Sequence, residues 1–262
     1  MKVDFDEILD FFFWGLEVFT RRDCGLILVG LRQCQSQQQA EWMLARLRQR
    51  RLIRSEGRGR SARILLTAEG ATKVQHFDPV SQWNKPWDGK WRLLAYDLPE
   101  QRRAERSALS HALRQRKIGL LQWSLWVWPH DLEPILSELL PREVGPRSLC
   151  GFVCDRLYLC EKEAVVAAAW DFHGVDQAHQ RHLDAAPRLI VSLKSAKDLR
   201  QVSALARLER EAYSKAFADD PLLPRALWPA GYRGTAVFDT HVRFRSLLQA
   251  RARELAAAPM SR

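Results

Sequence analysis

Between Ser36 and Thr67 the chain changes hydrophobic period once, and that change limits what it can fold into. From Gln37 to Arg51 the apolar residues Ala40, Met43, Leu44 and Leu47 recur at helical spacing and form one stripe, while Gln37, Gln38, Glu41, Arg48 and Arg51 face elsewhere. Ser36 followed three residues later by Gln39 has the pattern of a capping box, which sets the start of that helix. From Leu52 to Thr67 two short apolar runs flank Gly57-Arg58-Gly59-Arg60, the signature of strand, glycine-rich turn and strand, with Thr67 opening a short helix at Ala68-Glu69-Gly70.

Charge concentrates on this segment. The chain of 262 residues carries 41 Lys plus Arg against 31 Asp plus Glu, a formal charge of +10, and 32 of the cations are Arg. Residues 42–63 alone hold eight Arg and one Glu, whereas residues 1–23 are net −3 and residues 85–190 are nearly neutral. Arginine's planar fork suits bidentate contacts to phosphate and to guanine edges, and glutamine pairs with adenine edges. A basic helix and hairpin therefore direct attention to nucleic acid, with a solvated charged face as the alternative. Upstream, Phe5, Ile8, Leu9, Phe12, Phe13, Leu16 and Phe19 share one helical face over 6–19, and a second apolar segment spans 25–31. That first face reads as core or as a dimer seam. Three helices followed by a basic hairpin is the order of a winged helix-turn-helix.

The remaining chain reads as α+β. Residues 77–90, with two prolines, Gly89 and no clear period, form a linker. Strand Trp91–Asp97, basic helix 101–117, a strand pair over 118–128 with Leu121, Trp123, Leu125 and Val127 on one face, helix 132–140 and strand 148–160 give a ferredoxin-like order. After it, Leu189–Leu193 precedes a long helix over 196–218, and a last helix runs over 235–258. The expected domains are 1–76 winged helix-turn-helix, 91–162 ferredoxin-like and 163–262 mostly helical. No apolar run approaches the ~20 residues of a membrane-spanning helix. The acidic start is unlike a signal peptide and the five cysteines suit reduced thiols, so a cytoplasmic protein without membrane contact is expected.

Several ordered segments resemble the PaaX family of transcriptional repressors. They are Trp91-Arg92-Leu93-Leu94-Ala95-Tyr96-Asp97-Leu98-Pro99-Glu100 with Arg102 and Arg106, Ser124-Leu125-Trp126-Val127-Trp128-Pro129, Ala169-Trp170-Asp171-Phe172, Asp220-Pro221-Leu222-Leu223-Pro224, Leu227-Trp228-Pro229 and Gly231. The resemblance implies a winged helix-turn-helix, a central domain similar to small CRISPR-associated ferredoxin-like nucleases, a helical C-terminal domain, and an aryl acyl-coenzyme A inducer such as phenylacetyl-CoA. The chain departs from the family pattern at Gln37-Gln38-Gln39-Ala40-Glu41, which replaces an Arg-containing helix start, so neither operator nor inducer carries over.

Candidate chemistry is sparse. In the related nucleases a carboxylate at the position of Asp97 holds a metal, which makes a metal-dependent nuclease the enzymatic alternative. Asp97 and Glu100 also have the spacing of a helix cap and its capping-box partner. His173, His179 and His182 lie near Asp171 and Asp176 and suit an ordinary helix better than a metal site; no phosphate loop, nucleophile elbow or zinc-binding helix motif occurs, and no cofactor is expected. Arg243, Arg245, Arg251 and Arg253 form either a solvated face or a second anion contact.

The expectation is a homodimeric repressor bound to double-stranded DNA and not an enzyme, with a non-catalytic RNA-binding protein as the other class. Gln37, Gln38 and Glu41 are the expected base readers. Arg46, Arg48, Arg50 and Arg51 are the expected phosphate contacts, and Arg54, Arg58, Arg60 and Arg63 the contacts of the hairpin.

Overall fold

Residues 36–59, 62–69, 79–139, 148–158 and 160–257 are described in a computed structural model. The segments expected over 6–19 and 25–31, and Arg60, lie outside the described residues. By packing, the chain divides into two compact units, one of Met1–Phe77, Arg181–Ser214 and Thr235–Arg262, the other of Asp78–Gln180 and Lys215–Gly234. The division cuts across chain order.

In the first unit, helix α1 (Gln37–Gln49) starts where the sequence places it, because the Ser36 side chain accepts a hydrogen bond from the Gln39 backbone N–H at 3.2 Å. It ends in a Schellman closure. The Leu52 N–H donates to Leu47 O and the Arg51 N–H to Arg48 O, which leaves Arg51 left-handed at φ 57°. Leu52 then folds back onto Leu47 in the same core. Strands β1 (Ile53–Glu56) and β2 (Arg63–Leu66) pair antiparallel, with Ile53 opposite Leu66 and Glu56 opposite Arg63. Gly57 (φ 92°) and Gly59 (φ 68°) supply the positive φ values that the turn between them needs.

The apolar stripe of α1 does not close on the hairpin alone. Met43, Leu44 and Leu47, with Ile53 and Ile64, share one core with Leu193, Ala196, Val202, Phe244, Leu248 and Ala252. These come from the later part of helix α6 (Phe172–Ser195), the loop after it, helix α7 (Leu199–Ala216) and helix α8 (Gly234–Ala257). The C-terminal helices are thus the floor on which the helix and hairpin rest. Burying one such Leu or Phe contributes roughly 1.5–3 kcal/mol. Leu189–Leu193, read from sequence as an opening segment, is the last part of α6, which continues through Pro187.

The second unit is built on strand β3 (Trp91–Tyr96). Its successive side chains enter two cores, Trp91 and Leu93 on one face and Leu94 and Tyr96 on the other. A strand covered on both faces must be apolar almost throughout, as this one is. Helix α2 (Pro79–Trp83) and the linker precede it; helix α3 (Arg103–Gln115), β4 (Gly119–Gln122), β5 (Leu125–Trp128), helix α4 (Glu133–Leu139), β6 (Leu149–Cys154) and helix α5 (Lys162–Ala169) follow. The sheet is antiparallel in the order β4-β5-β3-β6, the ferredoxin-like arrangement that the element order predicts. Leu109 and Leu113 of α3 and the partly buried Ile135 and Leu136 of α4 cover one face. Val165 and Val166 of α5, with Trp170, Leu223 and Leu227, cover the other.

Helix α3 closes as α1 does: Ile118 N–H donates to Leu113 O, Lys117 N–H to Arg114 O, and Lys117 stands at φ 59°. Strand β4 begins against Trp170, so tightly that a Cβ on Gly119 would lie 2.6 Å from the indole ring. That indole donates to Lys117 O at 2.8 Å. Two sequence expectations need correction here. Trp123 does not share the inner face with Leu125 and Val127; it stands at the turn between β4 and β5, 97% exposed at φ 42°. Asp97 and Glu100 do not form a cap either. The single-turn helix Glu100–Arg102 and α3 have no side-chain cap, and Glu100 pairs with Arg106 at 3.2 Å. No helix among the described residues is long and apolar enough to cross a membrane.

Candidate nucleic-acid interface

Helix α1 buries Ala40, Met43, Leu44 and Leu47 and turns the opposite stripe outward. Gln38, Trp42, Ala45 and Gln49 lie along the centre of that exposed stripe, with Glu41 and Arg46 on its flanks. Sequence reasoning placed Gln38 and Glu41 there and missed Trp42. A tryptophan beside Met43 and Leu44 counts as core by composition, and only the phase of the helix shows that it faces outward. It is 56% exposed, and the Arg46 guanidinium lies 5.1 Å from its ring centroid, a cation–π contact that holds both side chains over the helix surface.

The other sequence candidates fall into three groups. Arg50 and Arg51 are exposed at the end of α1, where the chain turns into the hairpin. Arg54, Arg58 and Arg63 are exposed on the hairpin, Arg54 pairing with Glu56 at 2.7 Å. Arg48 is half-buried, and its Nε donates to Leu44 O of its own helix at 3.3 Å. Gln37 opens the helix. The arrangement is a solvent-facing stripe of amide, indole and guanidinium groups that continues into a basic two-stranded hairpin. Amides and guanidinium groups hydrogen-bond base edges and phosphates, and the indole offers an apolar surface.

The histidines noted in the sequence do not come together. His173 is exposed and shares a 2.8 Å hydrogen bond with Gln177. In the second unit, His179 is fully buried with Nε2 3.1 Å from Asp220 Oδ2, the same oxygen that accepts the Tyr232 hydroxyl at 2.6 Å. Tyr232 in turn accepts from the Trp83 indole at 3.1 Å. In the first unit, His182 Nε2 and His241 Nδ1 each reach Glu209 Oε1, at 3.1 and 2.7 Å. Burial alone would raise the Glu209 carboxyl, but the hydrogen bonds from the two imidazoles outweigh it and hold the group below the usual carboxylate range. Burial pushes the His241 imidazole down, more than the nearby carboxylate raises it, and Arg245 adds to the depression. These are structural pairs inside two cores. Partner carboxylates distant in sequence gave the histidines no visible pairing before the fold was known.

Asp97 directly follows β3 and is exposed. Among the described residues it is the one acid lining a cleft between the end of β3, the outer face of α3 and the β4–β5 turn. Among the described residues no group of three or more His, Cys, Asp or Glu is placed to hold a metal ion.

Comparison with known proteins bears on the second unit most directly. No curated protein matches the chain. Among solved structures, the uncharacterized protein Rv0674 from Mycobacterium tuberculosis is similar at a TM-score of 0.51 and 18% identity, covering 87% of this chain and 89% of that one. At that identity the likeness is one of fold. Residues 84–163, which hold the whole four-stranded sheet, match the family profile of the PaaX protein central Cas2-like domain, a match that supports a PaaX-family protein.

Proposed function

We propose that the chain is a sequence-specific DNA-binding transcriptional repressor of the PaaX type. The observation that carries this reading is the exposed stripe of α1 running into the basic hairpin, on a chain whose central domain is of the PaaX type. In this reading α1 is the recognition helix of a winged helix-turn-helix, and its stripe enters the major groove. Gln38, with Gln37 and Glu41, meets base edges, and Trp42 packs its ring against thymine methyl groups or the sugar wall. Arg46, Arg50 and Arg51 lie against phosphate, while the hairpin with Arg54, Arg58, Arg60 and Arg63 is the wing on the neighbouring backbone.

Two copies related by a two-fold axis read half-sites of an imperfect palindrome. A small-molecule inducer, an acyl-coenzyme A by family analogy, favours a conformer whose two readers no longer match that spacing. The chain then binds and releases DNA and carries out no reaction of its own.

The wing is tested by a paired substitution. Arg58→Ala with Arg60→Ala lowers affinity for all duplex DNA and flattens its salt dependence, because each phosphate contact releases about one counterion. Gln38→Ala reduces discrimination between sequences more than affinity. Binding as tight as wild type with the same salt slope in the double variant removes the wing assignment. Magnesium-dependent cleavage of DNA that Asp97→Ala abolishes contradicts the non-catalytic reading.

A further inference from the structure

The cleft at Asp97 has features that the DNA-binding reading leaves unused. It is open to solvent and has a volume of about 660 Å³, within the range of small-molecule sites. Arg106, Ser110 and Arg114 line it from α3 at i, i+4 and i+8, so they form one row along the helix, about 12 Å from end to end at 1.5 Å per residue. His111 lies beside the row. Arg106 shares its charge with Glu100, whereas Arg114 makes no ion pair among the described residues. The Ser110 and Tyr96 hydroxyls hydrogen-bond each other at 2.6 Å and fix the wall between the two guanidinium groups.

Trp123, at the β4–β5 turn, lines the same cleft. A tryptophan almost wholly exposed, in a left-handed backbone conformation that favours glycine, gains nothing from packing and carries backbone strain. Such a residue is explained by what it can stack on. Two cations and a flat ring around one cavity match a ligand with phosphates and an aromatic ring. Asp97 repels the phosphates and accepts hydrogen bonds from ring amino or sugar hydroxyl groups, so it sets the ligand's direction: phosphates along Arg106 and Arg114, ring at Trp123.

We infer that this cleft binds a nucleoside phosphate, free or as the nucleotide part of a larger cofactor. The inference does not depend on DNA binding, and none of the residues that line the cleft belongs to α1 or the hairpin.

The test is calorimetric titration of the full chain with ATP, AMP, coenzyme A and sodium pyrophosphate, for wild type, Trp123→Gly and Arg114→Ala. Wild type is expected to bind ATP or coenzyme A, the tighter of the two identifying the source, and to bind pyrophosphate at least tenfold more weakly. Arg114→Ala weakens the nucleotide at least tenfold. Trp123→Gly does the same while melting no lower than wild type, since glycine relieves the left-handed strain, so loss of binding cannot be loss of fold. Absence of binding to all four compounds at millimolar concentration, or equal binding by both variants, overturns the inference. Gel shifts with duplex DNA on the same variants, without nucleotide, are expected to be unchanged, so failure here and failure of the repressor reading are separate results.

Discussion

Glu209 shows how much can rest on one side chain. It is 2% exposed and accepts hydrogen bonds from two buried imidazoles, one of which, His241, stacks on Tyr213 at 3.9 Å. Glu209→Ala leaves two buried ring N–H groups without their acceptor, and a loss of about 3 kcal/mol is expected, read as a lowered denaturation midpoint. The same cluster makes stability depend on pH. The Glu209 carboxyl is depressed, so its contribution is present above the ordinary carboxylate range near 4.5 and is lost as pH falls through its folded value. The His241 imidazole is also depressed. As pH falls below about 6.5 the unfolded chain takes up that proton before the folded one, and stability declines. Both act in the same direction. Thermal melts from pH 7.5 to 5.5 are expected to fall, with a shallower fall in His241→Gln; an equal fall in that variant places the effect elsewhere.

At the scale of elements, Gly119 and Trp170 decide how β4 meets α5. A methyl group on Gly119 would stand 2.6 Å from the Trp170 ring and 2.8 Å from Ala169 Cβ, and the indole is held by its hydrogen bond to Lys117 O. Gly119→Ala is expected to cost about 1–3 kcal/mol by overpacking, measured by chemical denaturation; an unchanged midpoint would mean that the indole is free to move. Elements were the most legible part of the sequence. The Ser36 cap, the α1 stripe, the two hairpins and the order of the four-stranded sheet follow from period and turn residues, which are local properties. Trp123 was misplaced because alternation alone cannot distinguish a strand from the turn that ends it. The reading of Asp97 and Glu100 as a cap failed because their spacing fits a cap, whereas the chain passes through Pro99 and spends Glu100 on Arg106.

For the whole molecule, the legible quantity was charge and the illegible one was packing between distant segments. Clustering of Arg over 42–63 directs attention to α1 and the hairpin before any fold is known, and the structure leaves Arg50, Arg51, Arg54, Arg58 and Arg63 exposed. Nothing local in α1 announces that Phe244, Leu248 and Ala252, some 200 residues later, complete its core. This floor has a functional consequence within the first unit. The helix that carries the proposed base readers is held by α6, α7 and α8, so any change in those helices reaches the reader through shared side chains. The most direct test of the account is selection of random duplex DNA by the purified full chain, followed by sequencing of the bound fraction. The account predicts one enriched inverted repeat whose half-sites are centred about one helical turn apart, with enrichment lost in Gln38→Ala; a bound fraction with no enriched sequence would contradict it.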